Sequence, residues 1–135
     1  MTHINEAYIE EYIRNILPEN NPYLKEMELY AEENHVPIIE KEVAQLLKVL
    51  LKIIKPKNIL EIGTAIGYSA LIMASSIDEN SNITTIERRL DMIELAEKNI
   101  NSTKYKDKIN ILYGEAEEIL PSLNDKFDFI FLDAA

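Results

Sequence analysis

The sequence predicts an α/β fold: a parallel sheet, its first four strands present, preceded by an N-terminal helical cap. Three observations predict it. After residue 56, short apolar runs alternate with amphipathic stretches, the pattern of βαβ units. Before residue 56, the apolar residues recur at helical spacing. Glycines follow the first and third apolar runs, where a strand must give way to a tight turn.

The elements follow in order. Residues 5–17 carry Ala7, Tyr8, Tyr12, Ile13, Ile16 and Leu17 at helical spacing and end at Pro18. A loop spans Pro18–Pro22, and a second helix spans Tyr23–Asn34. His35-Val36-Pro37-Ile38-Ile39 breaks the pattern before a third helix. There Val43, Leu46, Leu47, Leu50, Leu51 and Ile54 form one apolar stripe, and Pro56 stops it. Strands are expected at Asn58–Ile62, Asn82–Glu87, Ile109–Tyr113 and Phe127–Leu132. Helices are expected at Tyr68–Ser76, Leu90–Asn101 and Ala116–Leu123. In the helix after the second strand, Leu90, Ile93, Ala96 and Ile100 should face inward. The tyrosines and methionines at helical positions read as core. Residues 1–55 are then a cap and 56–135 the first half of a sheet domain, together one domain.

Composition narrows the function. The 135 residues are 47% hydrophobic and 28% charged, enough apolar material for a core. No cysteine is present, so there is neither a disulfide framework nor a zinc-thiolate site. The opening residues lack the basic and apolar regions of a secretory signal. Lys48 and Lys52 interrupt the longest apolar run, which excludes a spanning helix there. A net charge of -10 counts against a generic nucleic-acid binder and fits a soluble cytoplasmic surface. Parallel sheets normally continue beyond a fourth strand. The ending at Asp133-Ala134-Ala135 therefore reads as a truncation, with an apolar edge strand prone to association.

Four constellations carry chemistry. Glu61-Ile62-Gly63-Thr64-Ala65-Ile66-Gly67-Tyr68-Ser69 joins a strand to a helix with G-x-x-x-G spacing. A dinucleotide pyrophosphate calls for G-x-G-x-x-G instead. S-adenosylmethionine (SAM) has no phosphate and needs only a close, uncluttered backbone. An ordinary strand–helix turn is the alternative. Glu87 ends the second strand, 20 residues after Gly67. A carboxylate at that distance can accept hydrogen bonds from both ribose hydroxyls; otherwise it is a solvated acid beside Arg88 and Arg89. Tyr113-Gly114-Glu115-Ala116 follows the third strand. It can wrap an adenine ring, with the Ala116 N–H donating, or it is a turn with Glu115 at a helix N-terminus. Asp133 ends the fourth strand, the neighbour of the first in the usual doubly wound order. It reads as a ligand for a hard cation or as an active-site acid, and spacing leaves both open. His3 and His35 are structural or surface histidines.

LEIGTAIGYSA, TIERR, YGEAEE and FDFIFLDAA, in that order, resemble the cation-dependent O-methyltransferases, a family that includes catechol and caffeoyl-CoA O-methyltransferases. The resemblance covers nearly the whole chain and implies a Rossmann-like SAM methyltransferase fold. It implies that Glu61, Gly63, Thr64, Gly67, Tyr68 and Ser69 lie around the methionine tail of SAM. It assigns Glu87 to the ribose, Glu115 and Ala116 to the adenine, and Ile39 to a cap that closes over SAM. Asp133 is implied as a catalytic residue and the first Mg²⁺ ligand, with an Asp and an Asn expected beyond residue 135. YAEENHVPIIEK, taken with LEIGTAIGYSA, further resembles the tRNA 5-hydroxyuridine methyltransferases within that family, which form 5-methoxyuridine. Three functions follow: methylation of 5-hydroxyuridine in tRNA, methylation of a small phenol or catechol, or SAM binding without catalysis. A cytoplasmic homodimer without membrane association is the setting the resemblance implies.

Overall fold

A computed structural model describes residues 4–133. Three helices come first. α1 (Ala7–Ile16) buries no residue and is held by Arg14, whose guanidinium donates to Glu42 at 3.0 and 3.2 Å and to Glu40 at 3.2 Å. α2 (Pro22–Glu33) begins on a proline, whose missing N–H has no intrahelical partner at that position anyway. It buries Leu24, Met27 and Ala31. α3 (Lys41–Ile54) buries Ala44, Leu47 and Leu51. Its end is set by Lys55 in the left-handed conformation (φ 51°), whose N–H donates to Leu51 O at 2.9 Å, and Pro56 prevents resumption.

Beyond Pro56 the chain alternates as expected: β1 (Asn58–Ile62), α4 (Tyr68–Ala74), β2 (Asn82–Glu87), α5 (Leu90–Asn101), β3 (Ile109–Tyr113), α6 (Ala116–Ile119) and β4 (Phe129–Leu132). The four strands form one parallel sheet in the order β3-β2-β1-β4. α4 lies between α3 and the sheet, and all seven of its residues are buried. A helix covered all round has no polar face, and the two hydroxyls it carries, on Tyr68 and Ser69, are both spent on buried or part-buried carboxylates. Leu51, Ile59, Leu71, Ile72, Met73 and Ile83 are fully buried and centre the core there.

Beyond Pro56, three boundaries differ from the sequence reading. α4 ends at Ala74 instead of Ser76. α6 stops at Ile119 and tightens into a 3-10 turn over Leu120–Ser122, because Pro121 supplies no N–H for an α-helical bond. β4 starts at Phe129 instead of Phe127. The preceding Asp128 turns its carboxylate onto the Lys57 and Asn58 N–H groups at 2.8 and 2.9 Å, tying the entry of β1.

Burial also corrects the reading. Tyr8, Tyr12 and Tyr30 are exposed, not core. The α3 stripe is rotated: Leu47 and Leu51 face inward, whereas Val43, Leu46 and Ile54 are exposed. Leu90 is exposed although Ile93, Ala96 and Ile100 are buried as expected. These residues share a helical period with the core but lie at its margin, where period alone does not fix the facing direction. His3 and the Ala134-Ala135 pair lie outside the described residues. Among the described residues, no helix is long and apolar enough to cross a membrane.

Candidate active site

Parallel pairing brings the carboxyl ends of all four strands to one edge. Glu61 stands in register with Thr85 on one side and Phe131 on the other, and Glu87 with Tyr113. The strand order reverses between β1 and β4, so the crevice of a doubly wound sheet opens there. The Asp133 N–H donates to Ile62 O at 3.0 Å, which seats exposed Asp133 beside the start of the glycine loop.

The loop from Gly63 to Gly67 alternates its backbone sign. Gly63 (φ 101°), Ala65 (φ 47°) and Gly67 (φ 88°) all adopt positive φ. Glycine suits this at Gly63 and Gly67. At Gly67 a Cβ would also stand 3.3 Å from Ile100 Cδ1. The loop is fastened from several sides. Gly63 and Thr64 N–H groups donate to Ile86 O at 2.9 and 3.3 Å, Gly67 N–H to Thr64 O at 2.9 Å, and Asn99 Nδ2 to Ile66 O at 2.9 Å. Ala65 N–H donates to Glu87 Oε2 at 2.8 Å.

Glu87 therefore meets the loop directly. Its other oxygen accepts from Arg88 N–H at 2.9 Å and Arg89 N–H at 3.0 Å. Three of the roughly four acceptor directions of a carboxylate are filled by backbone. Oε2 carries one of these three bonds and Oε1 two. Gly114 N–H donates to Glu87 O at 3.0 Å, which places the turn after β3 alongside. Glu115 is exposed and Ala116 is the first residue of α6, so the Ala116 N–H has no intrahelical acceptor.

Glu61 lies deeper, with no exposed surface. Oε2 accepts from Ser69 Oγ, and Oε1 accepts from Thr85 Oγ1 at 2.7 Å. Thr64 Oγ1 lies 2.6 Å from Thr85 Oγ1. A hydroxyl has one proton to give. With Glu61 ionised, Thr85 spends its proton on the carboxylate, so Thr64 donates to Thr85. Burial pushes the Glu61 carboxyl up to about 7; the two hydroxyl donors oppose this, and the charges of Asp133 and Glu87 add to it.

The structure thus joins Glu61, Gly63, Thr64, Gly67, Ser69 and Glu87 into one hydrogen-bonded and backbone-linked unit, with Glu115, Ala116 and Asp133 on neighbouring strand ends. Tyr68 turns elsewhere: its hydroxyl donates to Glu28 Oε1 in the cap at 2.7 Å. Ile39 is half-buried between α2 and α3 and packs on the core. Thr85, Ala65 and Asn99 were missed by sequence reasoning. Thr85 had a signal, since NITTIE places a hydroxyl where the inward alternation calls for an apolar residue. Among the described residues, no group of three or more His, Cys, Asp or Glu side chains could hold a metal ion.

Comparison with known proteins gives the family and the fold. The family model for O-methyltransferases matches residues 14–135. The chain is 32% identical over 132 residues to the catechol O-methyltransferase of Niastella koreensis, covering 93% of this chain and 60% of that protein. It is 36% identical over 104 residues to the caffeoyl-CoA O-methyltransferase of Populus kitakamiensis, covering 73% of this chain and 43% of that protein. Among solved structures, the O-methyltransferase of Bacillus cereus in complex with SAH superposes with a TM-score of 0.84 at 28% identity, over 94% of this chain and 60% of that one. The O-methyltransferase TomG of Streptomyces achromogenes, in complex with SAM, superposes with a TM-score of 0.84 at 26% identity, over the same shares. The chain spans about 60% of the first of these relatives and less of the second.

Proposed function

Because the chain belongs to the O-methyltransferase family, we propose that the protein binds S-adenosylmethionine along its strand ends and transfers the methyl group to an acidic hydroxyl of phenol or enol type. One observation carries the reading: the glycine loop after β1 and Glu87 at the end of β2 are fastened together at 2.8 Å, at the carboxyl edge of the sheet. Bound there, S-adenosylmethionine supplies an electrophilic sulfonium methyl.

The chain's own residues do the rest. The Gly63–Gly67 backbone carries little side-chain bulk and admits the methionine portion closely. Glu87 receives a ribose hydroxyl on its open acceptor direction. Gly114 lets the turn pack on Ile119, whose Cδ1 would stand 3.0 Å from a Cβ there, and the Ala116 N–H donates to the adenine ring. Glu61, Thr85, Thr64 and Ser69 hold the floor of the loop. Preorganisation of this kind lowers the cost of bringing methyl and acceptor into line. Asp133, exposed at the mouth, faces the acceptor and holds it by hydrogen bond or through a cation. A lone carboxylate does not furnish the octahedral oxygen set of Mg²⁺. If the whole protein uses Mg²⁺, Asp133 is the ligand this chain brings.

For the acceptor, the YAEENHVPIIEK segment supports 5-hydroxyuridine in tRNA. The net charge of -10 and the named activities of the relatives support a small catechol or phenol as the second reading. The test is methyl transfer from labelled S-adenosylmethionine to tRNA carrying 5-hydroxyuridine and, separately, to a catechol, each with Mg²⁺ and with a chelator. Label on one acceptor selects the reading, and loss of Mg²⁺ stimulation in Asp133→Ala places the cation. Absence of S-adenosylhomocysteine binding to the folded protein sinks the proposal.

A further inference from the structure

Tyr68 follows the glycine loop by one residue, yet its side chain leaves the strand ends. The residue is 2% exposed. Its hydroxyl donates to Glu28 Oε1 at 2.7 Å and accepts from Asn20 Nδ2 at 3.3 Å. Asn20 Nδ2 also donates to Glu28 Oε1 at 2.6 Å, and Asn20 Oδ1 accepts from Lys48 Nζ at 3.0 Å. Four parts of the chain meet at this knot: the link before α2, α2 itself, α3, and the first residue of α4.

In the knot an acid and an amine are joined through an amide instead of directly, and the phenol shares the acid's Oε1 with that amide. Burial, then the neighbouring Glu28, raises the Tyr68 pKa, so the phenol stays a neutral donor. Burial lowers the Lys48 pKa, while Glu28 opposes this. A part-buried polar group of this kind is stable only while all its members are in place. It is also directional, whereas the apolar packing of α3 on α4 is not.

Backbone geometry gives the knot a lever. Tyr68 is the residue after Gly67, which holds φ 88° and sits against Ile100 and Ala96 of α5. Toward α5 the turn has little room even for a Cβ, so a shift of the Tyr68 ring is taken up chiefly by the loop. We propose that Tyr68 is a positioning residue whose hydroxyl makes cap docking and loop geometry a single equilibrium, so that cofactor binding tightens the cap and a loosened cap weakens cofactor binding. The proposal rests on the reading of Gly63–Gly67 as the cofactor loop. Reciprocity is required of any such coupling: each event must assist the other by the same factor.

Tyr68→Phe removes one oxygen and keeps the ring. Its binding of S-adenosylhomocysteine is measured by calorimetry, and amide exchange across residues 20–33 and 63–71 is followed with and without that ligand. In the parent protein the ligand slows exchange in residues 20–33. In Tyr68→Phe, affinity falls about five- to tenfold, and the slowing in residues 20–33 shrinks. Glu28→Gln keeps an oxygen for both Tyr68 and Asn20 and stays within about twofold of the parent, whereas Glu28→Ala behaves like Tyr68→Phe. Parental affinity together with a parental cap response in Tyr68→Phe overturns the proposal, as does a Glu28→Gln no better than Glu28→Ala. If the parent protein does not bind S-adenosylhomocysteine, the functional reading falls, and the ligand-free comparison decides the coupling. Tyr68→Phe must then raise exchange in residues 20–33 and 63–71 alike, and a change confined to one side refutes it.

Discussion

Glu61 and Thr85 stand side by side on paired strands, and the threonine hydroxyl donates to the buried carboxylate at 2.7 Å. This pair is the floor of the candidate site. Through it Thr64, in the glycine loop, is tied to the middle of the sheet.

Replacing Thr85 by Val keeps the shape and removes the hydroxyl. Glu61 Oε1 then lacks its donor, and Thr64 lacks its acceptor. We expect a loss of about 1–3 kcal/mol in unfolding free energy. Thr85→Ser, which keeps the oxygen, should recover most of it. Urea denaturation measures both, and equal stability of Thr85→Val and the parent protein would show that the chain of hydroxyls holds nothing.

The Glu61 carboxyl also makes stability depend on pH in an unusual direction. Its folded-state pKa of about 7 lies above the ordinary 4.5. Between those values the folded protein binds more protons than the unfolded one. Its contribution is therefore fully present below pH 4.5, declines as pH rises through the window to about 7, and is flat above it. The decline amounts to something on the order of 3 kcal/mol. Denaturation curves at pH 5 and pH 8 for the parent and Glu61→Gln should diverge, the amide having no such slope. Parallel pH profiles would exclude a titrating Glu61.

Glu87 holds the loop and, in the proposed function, the ribose. Glu87→Ala should weaken S-adenosylhomocysteine binding by about 1.5–3 kcal/mol, the range for hydrogen bonds to a charged group. Glu87→Gln keeps one acceptor oxygen and should lie between. Calorimetry on folded variants decides the matter: unchanged affinity in Glu87→Ala removes the residue from the binding surface.

Gly67 and Ala65 share positive φ but differ in consequence. Gly67→Ala puts a Cβ into a left-handed backbone and 3.3 Å from Ile100 Cδ1, and should cost about 1–2 kcal/mol or somewhat more. Ala65→Gly relieves the same backbone strain while freeing the unfolded chain, and the two effects should nearly cancel, within about 1 kcal/mol. A thermal scan in which both variants melt with the parent would show that the loop is not held in this conformation.

The alternation of elements after Pro56 was legible in the sequence because period-2 and period-3.6 patterns are set by local geometry. The carboxylates at strand ends were legible for the same reason. Which way each exposed apolar residue faces was not, because Tyr12 and Leu46 share a helical period with true core residues and differ only in what lies across from them. The Tyr68 hydroxyl was placed near the loop by its position in the chain. Its actual partners, Asn20 and Glu28, lie 48 and 40 residues away, and no spacing rule connects them. Thr85 was readable as a hydroxyl in an apolar strand, but its partner Glu61 emerged only once register was known.

The place of β1 at the middle of the sheet orders events in time. Its partner β2 is reached after 24 residues, from Asn58 to Asn82, but its partner β4 only after 70, from Ile59 to Phe129. Closing the longer loop costs about 1 kcal/mol more in chain entropy. The β1–β2–β3 unit therefore nucleates first, and β4 is added to a template already formed. The crevice between β1 and β4 is thus the last seam to shut as the chain folds and the first to part as it unfolds. Pulse-labelled amide exchange should find Phe129–Leu132 protected later than Ile109–Tyr113, and the reverse order would contradict this sequence of assembly.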